Sequence, residues 1–272
     1  MPPRIGTHVS SAGGVHLAAE RAHELGCATM QIFTSSPRQW RASAPKPEAI
    51  AELKRLRRKY KIQPLVVHAS YLINVASSNS EFRKRSFQAL RGELERAAAI
   101  GAEYLVLHPG SGDLQACIAG LKEACEGFRW NGLQLLIENT AGGGNHLGGD
   151  FGAVAAILDG CAELQLGACV DTCHAWAAGY DLATDEGFAA AMRELGATIG
   201  IARVPVLHAN DAKSDRGSHL DRHAHIGAGK LGLATFARLL HDRRMRAKAF
   251  IVETPPEGQH EDLAALERLK AD

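Results

Sequence analysis

Thirteen histidines in a chain of 272 residues are the first feature with chemical content, because imidazole both ligates metals and moves protons near neutral pH. Side chains able to hold a metal stand where short apolar runs stop: His8, His68, His108, Glu138, Asp171, His208 and Glu253. One histidine after an apolar run is ordinarily a satisfied polar residue at the start of a loop. Repetition in run after run points instead to a shared centre. Two tight pairs add to it, since DTCH puts Asp171 and His174 three apart and DRH puts Asp221 and His223 two apart. Such spacing lets both members of a pair reach one point.

The candidate ligand set is His68, His108, Glu138, Asp171, His174, His208, Asp221, His223 and Glu253. Imidazoles and carboxylates without thiolates suit zinc or manganese at a catalytic site, whereas structural zinc is usually closed by cysteine. Cys173, inside DTCH, reads as a small buried neighbour. The set is too large for one tetrahedral ion and suits two or three, with a carboxylate such as Glu138 shared by a pair. Paired ions about 3.5 to 4 Å apart activate a water and clamp the attacking and leaving oxygens of an in-line displacement, so the chemistry expected is phosphodiester hydrolysis.

These residues are scattered along the chain, and only a fold that gathers strand ends can unite them. Strand-like runs occur at 4–9, 29–33, 64–68, 104–108, 133–138, 166–171, 205–209 and 249–253. Helical patterns lie near 14–25, 47–60, 80–100, 113–129, 151–160, 185–201, 230–243 and 261–270. Near-continuous apolar strands alternating with helices imply a parallel sheet covered on both faces. Eight units within 272 residues predict one (β/α)8 TIM barrel spanning 1–272, with the candidate ligands at the C-terminal mouth of its strands. An open doubly wound sheet is the alternative, but no glycine-rich phosphate loop follows any strand. The run AGGGNHLGGD (141–150) reads as a loop between strand and helix.

Composition removes other classes. An apolar fraction of 46% with 22% charged residues excludes disordered, collagen-like and coiled-coil chains. Apolar runs stop far short of the roughly 18 to 20 residues of a membrane span, so no membrane partner is expected. The N-terminus reaches strand-like sequence by Ile5, which leaves no room for a signal peptide. Six cysteines without a C-x-x-C pair form no disulfide framework, and a reducing cytoplasm is expected. Net charge is +1, so a polyanion must be held by a local basic rim or by metal.

The motifs that carry these residues run along essentially the whole chain: GTHVSSAGG (6–14), FTSSPRQWRA (33–42), HASYLIN (68–74), LHPGS (107–111), IENTAG (137–142), VDTCHAWAAGYD (170–181), HANDAKSDRGSHLDRH (208–223) and IVET (251–254). In this order they resemble the endonuclease IV family of apurinic/apyrimidinic (AP) endonucleases, also called deoxyribonuclease IV. The resemblance implies a (β/α)8 barrel that acts as a monomer on double-stranded DNA in base excision repair. It implies cleavage 5′ to an abasic site, leaving a 3′-hydroxyl and a 5′-deoxyribose phosphate, with trimming of 3′ ends besides. It also implies three zinc ions, one of them replaceable by manganese, and no organic cofactor. The first ion would lie on His68, His108 and Glu138, the second on Glu138, Asp171, His208 and Glu253, and the third on His174, Asp221 and His223. Glu138 would be the catalytic residue that orients the attacking hydroxide.

By motif position Arg38, Gln39, Tyr71 and Leu72 would enter the minor groove and kink the duplex. Lys213 and Arg222, with Arg216 and Lys230, crowd the loop after the seventh strand and would face phosphates. His8 and Asn210 would orient ligands or the phosphate. Arg55, Arg57, Arg58 and Lys59 read as a solvated helix face. Ala69 and Ala228 depart from the family pattern at positions that are not ligands. The nearest rival is a sugar isomerase or epimerase of the xylose isomerase-like barrels, whose tetrad Glu138, Asp171, His208 and Glu253 would match. It leaves His68, His108, His174, Asp221 and His223 without work. A lesion-binding protein that holds zinc for structure and does not cut is a more distant alternative.

Overall fold

The computed structural model describes residues 2–40 and 43–271, so the last two residues of FTSSPRQWRA lie outside the described residues. The barrel opens with β1 (Arg4–His8), α1 (Val15–Glu24), β2 (Thr29–Ile32) and α2 (Pro47–Tyr60). It continues with β3 (Leu65–His68), α3 (Ser80–Ile100), β4 (Tyr104–Leu107), α4 (Leu114–Cys125), β5 (Gln134–Glu138) and α5 (Phe151–Gly160). Then follow β6 (Leu166–Asp171), α6 (Thr172–Ala178), α7 (Asp185–Ala197), a 3-10 turn (Ile201–Arg203) and β7 (Val206–His208). A two-stranded ribbon, β8 (Asp211–Ala212) with β9 (His223–Ala224), precedes α8 (Gly232–His241), β10 (Ala249–Val252) and α9 (Gln259–Ala271).

The barrel closes in the order β1, β10, β7, β6, β5, β4, β3, β2, with every pairing parallel. Successive residues of a strand point to opposite faces, so a side chain two positions on from a pore-filling residue also points inward. An inner apolar cluster of Val66, Val106, Leu136, Cys169, Val206 and Ile251 fills the pore. Two residues further on stand His68, His108, Glu138, Asp171, His208 and Glu253. The candidate ligands are thus the polar layer directly above the apolar one. At the other face of each strand, Ile5, Ile32, Leu65, Leu105 and Phe250 pack outward in the main core between sheet and helices. β1 and β2 approach so closely that a Cβ on Gly6 would lie 1.9 Å from the Thr29 carbonyl oxygen.

The expected elements occur, with differences at their ends. α4 stops at Cys125 because Glu126 adopts extended backbone and Gly127 takes φ 63°, where the periodicity predicts helix to 129. α7 ends at Ala197 and Gly200, at φ 84°, breaks the chain before the 3-10 turn. α6 and the ribbon are not expected from the sequence. Arg57 corrects another reading: its guanidinium donates to Glu103 at 2.7 Å and to the Gly101 carbonyl at 2.8 Å, joining α2 to β4 instead of facing solvent. No helix among the described residues is long and apolar enough to cross a membrane.

Candidate metal centre

Glu138 ends β5 fully buried at the middle of the mouth, and each of its oxygens meets a separate pair of imidazoles. Oε2 lies 3.2 Å from His68 Nε2 and 3.1 Å from His108 Nε2. Oε1 lies 2.9 Å from His208 Nδ1 and 3.3 Å from His174 Nδ1. His208 Nδ1 is also 3.0 Å from Glu253 Oε2 and 3.9 Å from Asp171 Oδ2. Asp221, half exposed on the loop before β9, reaches His174 Nε2 at 3.2 Å and His223 Nε2 at 3.1 Å.

Ligand-capable atoms therefore gather in groups. Those of His68, His108 and Glu138 lie within 4.8 Å of one another, as do those of Glu138, Asp171, His208 and Glu253. His174 and His223 group with Asp171, and Cys173 and Asp221 with His223, within the same limit. The Cys173 thiol is pushed up to about 12 by burial, which leaves it protonated. His108 and Glu253 stand one residue past the strands proper.

Hydrogen bonds on the far side of each ring set what faces the centre. His68 Nδ1 is 2.8 Å from the Ala69 carbonyl, His174 Nδ1 is 2.9 Å from the Asn139 carbonyl and His223 Nδ1 is 3.3 Å from the Glu253 carbonyl. A carbonyl accepts only, so each Nδ1 carries a proton and Nε2 is the nitrogen turned inward, free to offer its lone pair once an ion takes the place of any second proton, the usual arrangement of metal-ligating histidine. The Nε2 atoms of His174 and His223 are buried without a hydrogen-bond partner. Their separations from Asp221 match the edge of a tetrahedron around an ion with bonds of about 2.0 Å, which is about 3.3 Å. Donor type, orphaned nitrogens and spacing all fit divalent cations.

Burial disfavours charge on every group here, yet opposite charges prevail. Burial pushes the Glu138 carboxyl up, but His108 and His208 outweigh it and hold it well below the usual carboxylate range. Glu253 is brought down to about 2 against the same burial, chiefly by His208. Burial would lower His223, but Asp221 and Asp171 lift it to about 9. His8 behaves oppositely: burial brings it to about 4 despite Glu253, so it is neutral.

Asn210 lies between Asp171 and Glu253. Its side-chain amide donates to Asp171 Oδ2 at 2.7 Å and to Glu253 Oε2 at 3.2 Å, while its Oδ1 accepts from the Glu253 amide at 2.8 Å. His8 Nδ1 sits 3.1 Å from Gln31 Nε2, one residue away from the ligands. The sequence reading missed Gln31, which is fully buried and donates to Glu253 Oε1 at 2.6 Å while its Oε1 lies 2.9 Å from His208 Nε2. Asn139 and Asp211 were also missed. Asn139 exchanges hydrogen bonds with the Asp171 backbone. Buried Asp211 accepts from the amides of Ala212, Gly227, Gly229, Leu231 and Gly232 and so fixes the loop between β9 and α8. A polar residue inside an apolar run, as Gln31 is, was the available signal.

The predicted DNA contacts lie on loops, and Tyr71 and Arg222 stand directly beside the clustered ligands. Tyr71, 63% exposed, stands edge-on to Phe33 and within 5.6 Å of the His68 ring. Leu72 is half-buried beside it, and Arg38 and Gln39 are exposed on the β2–α2 loop. Of the basic rim, Arg216 pairs with Asp181 at 2.9 Å and Lys230 with Asp215 at 3.0 Å. Lys213 and Arg222 are exposed and form no ion pair among the described residues.

Residues 19–270 match the family model described as a xylose isomerase-like TIM barrel. A protein named probable endonuclease 4 from Solibacter usitatus is 46% identical over 278 aligned positions, covering 98% of this chain and 96% of that one. Endonuclease 4 from Thermus thermophilus is 41% identical, covering 99% and 98%. A crystal structure of endonuclease IV from the same species superposes with a TM-score of 0.90 at 40% identity, covering 98% of each chain. A D-tagatose 3-epimerase-like protein shares the fold at a TM-score of 0.74 and 22% identity.

Proposed function

Because this chain belongs to the endonuclease IV family, we propose that the nine clustered side chains hold three divalent ions, zinc with manganese able to take one place. The chain is an apurinic/apyrimidinic endonuclease of DNA repair, a phosphodiester hydrolase that depends on metal. His68, His108 and Glu138 would hold the first ion, Glu138, Asp171, His208 and Glu253 the second, and His174, Asp221 and His223 the third. The observation that carries this is the central carboxylate of Glu138, which offers one oxygen to each of two adjoining groups.

Ions bound there would supply the positive charge that activates a water and neutralises the scissile phosphate and its leaving oxygen. The residues of this chain prepare the place. Glu138 stays ionised and is fixed between four imidazoles, so it can orient a nucleophile without itself moving. Asn210 keeps Asp171 and Glu253 in place by donating to both. Gln31 on β2 braces Glu253 by donating to it and also meets His8 Nδ1 on β1. Around the mouth, Tyr71, Leu72, Arg38 and Gln39 would engage the minor groove of double-stranded DNA beside the abasic site, with Lys213 and Arg222 on phosphates. The cut would fall 5′ to the abasic residue. Six cysteines, all free and buried, support a reducing cytoplasmic setting, and a monomer without organic cofactor completes the proposal.

A duplex carrying one tetrahydrofuran abasic analogue, which cannot undergo β-elimination, tests the reading beside an undamaged duplex, with and without prolonged chelation. The expected result is a chelator-sensitive cut on the 5′ side of the analogue alone. Metal-replete protein that leaves the analogue intact would overturn it and direct attention to ketose epimerisation on the tetrad of Glu138, Asp171, His208 and Glu253.

A further inference from the structure

Outside the mouth, between the β2–α2 loop and α3, lies a cavity of about 940 Å³ lined by Arg38, Gln39, Trp40, Arg85, Gln88 and Gly92, with Ala89 and Arg96. Its walls are fastened to each other. Thr34 donates to Glu93 Oε2 at 2.7 Å, Arg96 donates to Thr34 at 3.0 Å, and Glu93 is itself buried on α3. Further along the helix the Trp40 ring stands edge-on to Phe82 at 5.0 Å. Small residues keep the floor open, and a Cβ on Gly92 would already lie 3.0 Å from Arg96 Nη1.

The cavity is also electrically unbalanced. Arg96 is matched by Glu93 at 3.0 Å. Arg85 has only Glu81 at 3.9 Å, with both side chains well exposed. Arg38 forms no ion pair among the described residues, and no carboxylate is among the lining residues. The loosely held Arg85 guanidinium and the Gln88 amide offer donors for phosphate oxygens beside the loop of Arg38 and Gln39, whose side chains the minor-groove reading uses. The loop that walls the cavity is tied to the mouth, because Ser70, next to Tyr71, donates to the Pro37 carbonyl at 2.7 Å.

We propose that this cavity grips backbone phosphates of the duplex arm flanking the lesion, extending the DNA footprint from the mouth onto α3. The proposal rests on the AP endonuclease reading and adds Arg85 and Gln88 as binding residues remote from the reacting bond. Phosphate contacts of this kind position a duplex without reading its sequence.

Incision of the tetrahydrofuran duplex is followed over a range of salt for wild type, Arg85→Glu, Gly92→Glu and Arg55→Glu. Gly92→Glu places a carboxylate in the cavity on α3, where the added Cβ meets only the flexible end of Arg96 and glycine is the poorer helix former. Arg55→Glu makes the same charge change as Arg85→Glu on α2, where Arg55 pairs with Glu52. Both cavity variants are expected to raise KM about tenfold with kcat within about twofold, and to flatten the plot of log kcat/KM against log salt by about one unit per lost phosphate. Arg55→Glu is expected to change neither. Equal losses in all three variants, or none in the cavity pair, overturn the proposal. A wild type that fails to cut strikes the functional reading instead.

Discussion

Gln31 and His208 meet across the barrel, the amide oxygen 2.9 Å from Nε2 while the amide nitrogen donates to Glu253 Oε1 at 2.6 Å. The amide nitrogen has no lone pair to spare, so Gln31 must present its oxygen to His208 and thereby keep the proton on Nε2. Nδ1 is left facing Glu138 and Glu253 at 2.9 and 3.0 Å, where a bare lone pair would be repelled by both. Only a proton or a metal ion relieves that arrangement. One uncharged residue thus decides which nitrogen of His208 is offered to an ion.

Replacing Gln31 with Leu roughly keeps the volume and removes the hydrogen bonds to His208, Glu253 and His8. Metal affinity is expected to fall about 10- to 100-fold, the usual cost of losing such a supporting partner. Zinc retained during dialysis against graded chelator measures it, and retention equal to wild type would show that His208 needs no orienting.

Glu138→Gln keeps shape and hydrogen-bonding reach while removing the charge shared between the first two groups. Incision is expected to drop at least about a thousandfold. Affinity for abasic duplex in a gel-shift assay should change by less than about threefold, because the phosphate contacts on the rim are untouched. Full incision by this variant would refute the role given to Glu138.

In metal-free protein His223 sits at about 9, above its ordinary 6.5, because Asp221 and Asp171 outweigh its burial. A raised histidine stabilises the folded chain fully below 6.5 and ceases to do so as pH climbs through 9. Chelated protein should therefore show a Tm that declines between those values. His8, at about 4, is neutral throughout that window and does not mask the decline. Zinc-loaded protein should lack it, since an ion takes the proton's place, and loading near neutral pH should release protons measurable in weakly buffered solution. A pH-independent Tm in chelator would contradict the imidazolium–carboxylate pairing.

Asp211→Ala would leave the amides of Ala212, Gly227, Gly229, Leu231 and Gly232 without their acceptor. The cost is expected to be roughly 3 kcal/mol or more, a fall in Tm of roughly 6 to 12 °C for a chain of this size. Thermal unfolding of zinc-loaded and chelated protein checks it. Because Asp211 pairs with Ala224, next to His223, the zinc-loaded form should lose the larger share.

The barrel and most of the centre were legible because both follow from one period. Strand residues alternate faces, so a polar side chain ending an apolar run marks the inward position at the mouth, as His68, Glu138, Asp171 and His208 do. Gln31 obeys the same rule and escaped it, because β2 continues into Ile32 and the run does not end at the polar residue. α6 was unreadable for another reason: it starts directly after Asp171, which serves as its N-cap through the His174 amide, and no turn separates strand from helix. β8 and β9 are too short to show alternation. Arg57 looked solvated because its partner, Glu103, lies in a later unit and is invisible to helical spacing.

The pairing of β1 with β10 has a consequence for the order in which the molecule can be assembled. The first proposed group draws on β3, β4 and β5, neighbours both in sequence and in the sheet, and needs no contact with either end of the chain. The second needs Glu253, which arrives only when β10 is inserted between β1 and β7. Loop closure over such distances is slow compared with pairing of consecutive units. A refolding chain is therefore expected to complete the first group before the second, whose full set of side chains exists only when the ring is shut.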